Sequence, residues 1–459
     1  MTSYLGIKGY TLYKDELTQT ELYNIRNELN VKPYSTHLTN TIPYPIYRES
    51  SKKIYLPRYY GYEKYGNPAS NKLSQGEEIN LEFKGDLYDY QKNIINKYIT
   101  HVSNSGGGLL DVEPGKGKTV MALNIISKLK KKTLVIVHKS FLMNQWEERI
   151  KQFLPYAKVG KIQGEIIDIE NKDIVLGMLQ SLSVKEYDIS VWRQFGLCVF
   201  DECHHLSAEV FCNIMIKNVC NCNLGLSGTM TRKDGLSKIF KWFIGPIIHK
   251  EKSDLTRNVT IKCIEYENEK LFENIPVDFK GNPMYSTMIS KICNCQDRTN
   301  YIIEIIKNEL NMNNKQQIII LAHNKTLIEC LYKGILEFEK SVGFYLGGMK
   351  DVALKESESK KIIIGTYAMA SEGLDIKTLT TLVMATPKTD VCQSVGRILR
   401  CKDNEPLVID IVDSQTIFKN QFNKRKKYYK SKKYNIDYYS TIHSYFLGNK
   451  NNEIKKCLL

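Results

Sequence analysis

The stretch Asp111-Val-Glu-Pro-Gly-Lys-Gly-Lys-Thr119 stands between an apolar run and a segment of helical periodicity. Its two glycines, Gly115 and Gly117, let backbone N–H groups turn inward, and the N-terminus of the following helix adds the positive end of its dipole. Such a loop is a cradle for polyphosphate. Lys118 is placed to reach the outer phosphates and Thr119 to hold Mg²⁺, while Gly115, Lys116 and Gly117 supply the backbone turn. The template G-x-x-x-x-G-K-[ST] is met only in part, because Val112 stands where its first glycine would be. Read alone, the loop could also be a lysine-rich surface turn.

The surroundings decide between these. From Leu109 onward the sequence alternates apolar strand, loop and helix: Leu109-Leu110, the loop, a helix over Val120–Lys130, the strand Thr133–Val137, a helix over Phe141–Phe153, then Ile174–Leu176, Leu197–Phe200, a helix about Ser207–Lys217, and Leu224–Leu226. This pattern predicts a parallel sheet, with ligands at the carboxyl ends of its strands. Asp201 and Glu202 follow the strand Leu197–Phe200. There Asp201 would hold Mg²⁺ and Glu202 would orient and deprotonate water, although the pair could instead cap the next helix. Ser227, Gly228 and Thr229 follow Leu224–Leu226 and could sense a phosphate site or form an ordinary turn.

A second α/β series runs through a helix over Tyr301–Leu310, a strand Gln317–Ala322, a helix Lys325–Leu336, and strands Lys361–Ile364 and Leu379–Ala385. Gln393, Arg397 and Arg400 are spaced i, i+4, i+7 and share one helical face. Arginine's planar fork suits phosphate oxygens, yet a solvated amphipathic face has the same spacing.

At 459 residues, with 42% hydrophobic and 25% charged residues, the chain has the size and composition of a multidomain globular protein. No 18-residue uncharged apolar run suggests a membrane span, and the N-terminus lacks the basic-then-apolar order of a signal peptide, so an intracellular location is expected. The twelve cysteines are scattered, and the close pairs Cys220/Cys222 and Cys293/Cys295 lack C-x₂-C spacing; reduced structural thiols are expected. A net charge of +15 favours polyanionic partners, nucleic acid first.

The expected division is 1–80, a small α+β unit; 81–250, a first parallel-sheet domain; 251–297, a connecting or inserted segment; 298–413, a second parallel-sheet domain; and 414–459, a basic aromatic tail. In 1–80, Tyr47, Arg48, Tyr55, Arg58, Tyr59 and Tyr60 interleave aromatic and basic character, which suits stacking on nucleic acid and equally suits a small core with wet tyrosine hydroxyls. In the tail, Lys419 to Lys433 holds eight Lys/Arg and no acid, interleaved with tyrosine and phenylalanine. Lys424, Arg425 and Tyr428 are accordingly expected to contact nucleic acid.

In their order and separations, GKGKT, VFDECHH, LGLSGTMTRKDG, IIIGTYAMASEGLDI and QSVGRILR resemble superfamily 2 helicases of the XPB-like and poxvirus or asfarvirus type, over about residues 81–413. The resemblance implies two RecA-like domains in tandem, ATP and Mg²⁺ bound in a cleft between them, and 3′→5′ movement on single-stranded or duplex DNA, RNA remaining open. Carried over by position, Gln91 in LYDYQ would read adenine; Arg397, Arg400 and Gln393 would act at the γ-phosphate; Gly373 and Asp375 would couple nucleotide to movement. Ser227, Gly228 and Thr229 would relay between sites, and Lys139, Ser140 and Thr366 would contact a nucleic-acid strand. Departures from the family pattern are Asp89, Val112 and Ser-Gly-Thr at 227–229. Alternatives are a duplex translocase or transcript-release factor, and a scaffold with a degenerate nucleotide site. With the Lys-, Asn-, Ile- and Tyr-rich composition, the likeness points to a large DNA virus, with replication or transcription proteins as partners, in the host cytoplasm, viral factory or virion.

Overall fold

A computed structural model of the chain describes residues 2–33, 42–113, 115–203, 209–228, 230, 235–250, 258–268, 270–273, 275, 277–279, 281, 283–372, 374, 376–399 and 405–448. It comprises two compact units, Met1–Lys252 and Ser253–Leu459. Among the described residues no helix is long and apolar enough to cross a membrane.

The first unit opens with a five-stranded sheet in the order Arg48–Glu49, Lys53–Leu56, Gly9–Tyr13, Ser3–Gly6, Ser70–Asn71. The run from Tyr4 to Leu12 forms a hairpin, because Gly9 takes φ 107° and turns the chain. One face of this sheet is covered by the helices Gln19–Glu28 and Arg58–Tyr65. Its core residues (Tyr10, Leu12, Ile54, Leu56) belong to the same apolar cluster as Phe240 and Phe243 of the helix Ser237–Ile244. The module is therefore packed into the first unit. Arg58 is buried there, donating to the carbonyls of Asn221 at 2.7 Å and Ser105 at 3.0 Å, and Tyr60 meets Trp242 edge-on at 5.3 Å. Arg58, Tyr59 and Tyr60 thus serve the core reading, whereas Arg48 is exposed.

Behind this module, α1 (Asp89–Ser105) leads into an eight-stranded sheet. Its strands are β1 (Gly107–Asp111), β2 (Thr133–Val137), β3 (Val159–Gln163), β4 (Ile166–Asp168), β5 (Ile174–Met178), β6 (Leu197–Phe200), β7 (Cys222–Ser227) and β8 (Ile247–Lys250). They lie in the order β4-β3-β5-β2-β6-β7-β1-β8, parallel throughout except for the β3–β4 hairpin. Every residue of β2 and β5 is buried, as strands with helices on both faces must be. The helices α2 (Lys118–Leu129) and α3 (Ser140–Phe153) pack on one of those faces.

The second unit holds a seven-stranded, all-parallel sheet: β9 (Thr260–Tyr266), β10 (Gln317–Ala322), β11 (Val342–Tyr345), β12 (Ile362–Thr366), β13 (Leu379–Met384), β14 (Leu407–Asp413) and β15 (Asn435–Tyr439), in the order β11-β12-β10-β13-β14-β9-β15. Its helices include α4 (Gln296–Met312), α5 (Tyr367–Glu372), α6 (Cys392–Ile398) and α7 (Thr416–Ser431).

Two expected boundaries are corrected here. Within the range expected as a connection at 251–297, β9 (Thr260–Tyr266) pairs with β14 and β15 and so belongs to the second sheet. Likewise, the described residues of 414–459 do not form a tail: α7 presents Phe418, Phe422, Arg425 and Tyr429 inward, and β15 pairs along β9 from Asn435 to Tyr439.

Asp410 and Asp413 of β14 point to opposite faces, and each meets a buried arginine. Arg298 of α4 grips Asp413 through two bonds of 2.6 and 2.8 Å, and Arg425 of α7 grips Asp410 through two of 2.8 Å.

Candidate active site

The phosphate loop leaves β1 and enters α2, with Gly115 at φ 84° and Gly117 at φ 81°, both in the left-handed region that favours glycine. Gly117 has a second reason to lack a side chain: a Cβ there would stand 2.5 Å from Gln91 Nε2. That amide donates to the Lys116 carbonyl at 3.1 Å, and the Tyr90 hydroxyl donates to the same carbonyl at 3.0 Å. Gln91 Oε1 accepts from the Tyr88 N–H at 3.1 Å, so Gln91 ties the start of α1 to the loop. Its buried amide is engaged in positioning the loop in this structure. Val112 explains the departure from the glycine template. It is fully buried, and its N–H donates to the Ser227 carbonyl at 3.0 Å, so this position extends the pairing of β1 with β7.

Lys118 and Thr119 are the first two residues of α2, half-buried beside the loop. Two strands away from β1, beyond β7, Asp201 and Glu202 lie at the carboxyl end of β6. Lys118 Nζ meets Glu202 Oε1 at 2.8 Å, which brings together two groups that lie far apart in sequence. Glu202 sits at φ 47°, a conformation that costs a non-glycine residue energy and that clusters at functional sites. Asp201 Oδ2 accepts from Trp146 Nε1 at 2.9 Å. Burial, reinforced by the Glu202 charge, pushes the Asp201 carboxyl up to about 6, against the opposing pull of Lys118 and Trp146. Two adjoining carboxylates that share one ammonium form a site short of positive charge. A divalent cation would fit that deficit. Asp111, half-buried at the end of β1, is also raised by burial, with Lys250 and Lys118 opposing.

Ser227 is fully buried at the end of β7 with Gly228 after it, and Thr229 lies outside the described residues. Lys139 and Ser140 open α3 at the carboxyl end of β2; burial lowers the Lys139 ammonium, and Ser140 is exposed.

In the second unit, α6 buries Ser394, Val395 and Ile398 and leaves Gln393 and Arg397 half-buried. Arg397 donates through Nε to the Ala370 carbonyl and through Nη1 to the Leu374 carbonyl, each at 2.8 Å, so it clamps the end of α5. Gly373, Asp375 and Arg400 lie outside the described residues. Thr366 ends β12, and its hydroxyl accepts from the Met369 N–H at 3.4 Å.

On α7, Lys424 is exposed and Tyr428 half-buried against Tyr429 and Tyr434, with burial raising its hydroxyl. Arg425 is corrected. Only 1% exposed and held by Asp410 and the Lys388 carbonyl, it belongs to the core and not to a nucleic-acid surface. Trp146 and Tyr90 are the site residues that sequence reasoning missed. For Trp146 a signal existed, since it shares a helical face with Leu142, Met143 and Ile150, and a buried indole N–H needs an acceptor.

Residues 84–232 match the family described as "Type III restriction enzyme, res subunit". The chain is 35% identical over 474 aligned positions to a "Putative ATP-dependent RNA helicase" of Acanthamoeba polyphaga mimivirus, covering 98% of this chain and 90% of the relative. It is 28% identical to a "Putative ATP-dependent RNA helicase" of African swine fever virus, over 78% of this chain and 75% of that one. Among solved structures, S. cerevisiae Dbp5 bound to RNA and ADP BeF3 superposes with a TM-score of 0.52 at 13% identity, covering 75% of this chain and 89% of that one, which shows the shared fold of tandem parallel-sheet domains. The mimivirus alignment spans 98% of the chain and so both sheets, and the chain accordingly belongs to the superfamily 2 helicases, as a helicase-type ATPase of the kind large DNA viruses carry.

Proposed function

We propose that the chain couples ATP hydrolysis to movement along a nucleic-acid strand, with DNA as the polymer and 3′→5′ as the direction. The observation that carries the hydrolytic part is the contact of Lys118 Nζ with Glu202 Oε1 at 2.8 Å, beside Asp201 at the end of the same strand. A phosphate ligand and a water-activating carboxylate thus share one locus.

The loop from Gly115 to Gly117 turns its backbone toward the phosphates, and Lys118 takes the β/γ-oxygens, which draws its ammonium away from Glu202. Glu202 then orients the attacking water and accepts its proton. Asp201 and Thr119 would hold Mg²⁺, which would supply positive charge to offset that of the phosphates. Gln91 keeps the loop against α1 and is proposed to face adenine. Gln393, Arg397 and Arg400 act on the γ-phosphate when ATP is bound, while Gly373 and Asp375 pass the change to the strand-holding residues Lys139, Ser140 and Thr366. Ser227, Gly228 and Thr229 relay it within the first unit.

The second reading is RNA as the polymer, favoured by the names of the mimivirus and African swine fever virus relatives. ATPase stimulation by single-stranded DNA, duplex DNA and RNA, measured side by side, separates the two. Strand separation on 3′-tailed against 5′-tailed duplexes fixes the direction. Absence of stimulation by all three polymers overturns the motor.

A further inference from the structure

The N-terminal sheet buries one face in the apolar core, while on the other half-buried tyrosines flank a buried Thr11 and exposed cations rim them. Leu5, Tyr10, Leu12, Ile54 and Leu56 point inward and are at most 2% exposed. The opposite face carries a rung in which Tyr4 pairs with Thr11, Thr11 with Tyr55, and Tyr55 with Arg48; on the same face Tyr13 pairs with Lys53. Tyr4 and Tyr55 stand two strands apart, roughly 10 Å, with only the small Thr11 between them.

Ammonium groups lie over these rings. Lys72 is 4.3 Å from the Tyr4 centroid, Lys53 is 4.6 Å from that of Tyr13, and Lys8 is 5.1 Å from that of Tyr55. Lys53 also donates to the Tyr4 hydroxyl at 3.2 Å. Arg48 is exposed at the end of the rung. The neighbouring acid, Glu49, points to the other side of its strand and is engaged by Lys14 at 2.6 Å and Arg26 at 2.9 Å. The face thus combines flat rings with positive charge that no acid on its own strands neutralises.

We propose that this face is a separate binding site for a single-stranded polynucleotide, in which Lys8, Arg48 and Lys72 contact phosphates and Tyr4 and Tyr55 stack on unstacked bases. The chemistry is that of sequence-tolerant strand binding, where rings accept any base and cations follow the backbone. A duplex, with its bases stacked internally, offers these rings nothing to stack on. On binding, the ammonium groups move from the ring faces to phosphates and leave the rings open to the bases. The site rests on the reading of the chain as a nucleic-acid motor, and lies on the N-terminal sheet, on residues distinct from the phosphate loop and the carboxylates at the end of β6.

The test uses the full chain and two surface variants, Lys8→Ser/Arg48→Ser/Lys72→Ser and Tyr4→Leu/Tyr55→Leu. Labelled oligo-dT, oligo-U and a blunt duplex are titrated by fluorescence anisotropy across a salt series, alongside thermal melting and ATPase activity without nucleic acid. The charge variant is expected to bind single strands more weakly, with a salt slope shallower by about 2 from three lost phosphate contacts. The ring variant is expected to lose about tenfold in single-strand affinity at an unchanged slope. Basal ATPase stays at the wild-type level in both. Binding and slope unchanged in the charge variant overturn the site, and so does an equal loss on duplex. If the ring variant melts early, the charge variant, altered only at exposed residues, still decides. Failure of the wild type to bind any probe brings down the motor reading and this site with it.

Discussion

Arg425→Ala asks whether the basic helix α7 is a nucleic-acid arm or a wall of the second sheet. Nε and Nη2 of Arg425 bind the two oxygens of Asp410 at 2.8 Å each, and Nη1 donates to the Lys388 carbonyl at 2.7 Å. Tyr429 adds its hydroxyl to the same carboxylate at 3.0 Å. Arg425 is 1% exposed and Asp410 fully buried. Truncation leaves the Tyr429 hydroxyl facing a carboxylate that has lost its counter-charge, besides a cavity where the arginine stem lay. Breaking one side of such a pair costs ~3–5 kcal/mol. At about 2–4 °C per kcal/mol for a domain of this size class, the second unit should melt roughly 6–20 °C earlier.

Thermal and urea unfolding of the full chain by circular dichroism reads this directly. Lys424→Ala, one residue away and exposed, should stay within about 0.5 kcal/mol of wild type. Arg425→Met with Asp410→Leu should recover most of the loss, since replacing both partners by apolar groups removes the stranded charge. The reasoning is refuted if Arg425→Ala melts with the wild type and instead weakens nucleic-acid binding with a shallower salt slope.

At the active site, Lys118→Ala should abolish ATP hydrolysis, and Glu202→Gln should lower turnover by ~10²–10⁴ while a fluorescent nucleotide still binds; full turnover in either variant would sink the assignment. Gly117→Ala must accommodate both φ 81° and a Cβ 2.5 Å from Gln91, so nucleotide affinity should fall with the fold of the unit kept, as equilibrium dialysis and circular dichroism would show. Trp146→Phe removes the donor to the buried Asp201 and should cost about 1.5–3 kcal/mol in urea unfolding of the first unit. Chelating divalent cations should stop hydrolysis and leave binding to a labelled single strand, read by anisotropy, in place.

How much of this was legible depended on where burial is two-sided. Thr133–Val137 and Gln317–Ala322 read as strands directly, because a strand covered on both faces is an unbroken apolar run. The hairpin at Val159–Asp168 lies at the sheet edge, where Ile166, Ile167 and Asp168 are exposed and alternation is lost. That the phosphate loop and the carboxylates Asp201 and Glu202 form one site followed from strand-end logic, whereas the Lys118–Glu202 contact and the Trp146 bond did not, because they depend on how side chains and α3 lie across the sheet. Helix α7 was misread through its composition. Its lysines dominate the count, but Phe418, Phe422, Arg425 and Tyr429 recur at helical spacing and form the buried stripe. The place of β9 between β14 and β15 is a long-range parallel pairing that no local pattern encodes.

Charge itself divides by residue type in a way that bears on Arg397. Arg58, Arg298, Arg397 and Arg425 each direct guanidinium N–H groups at main-chain carbonyls: Asn221 and Ser105, Ala385, Ala370 and Leu374, and Lys388. A planar fork with five donors can satisfy carbonyls at irregular joints while keeping its charge, which an ammonium cannot match in geometry. The surplus expressed by the net charge of +15 is therefore carried to solvent chiefly by lysine, as on α7 and the N-terminal sheet. For Arg397 the consequence is mechanical. Its bonds to the Ala370 and Leu374 carbonyls tie it to the end of α5, which follows Thr366, the residue proposed to contact the strand. The residue proposed to sense the nucleotide is thus bonded to the segment proposed to move the strand, and Arg397→Lys, which keeps the charge but loses the fork, should uncouple ATP hydrolysis from strand separation more than it slows hydrolysis.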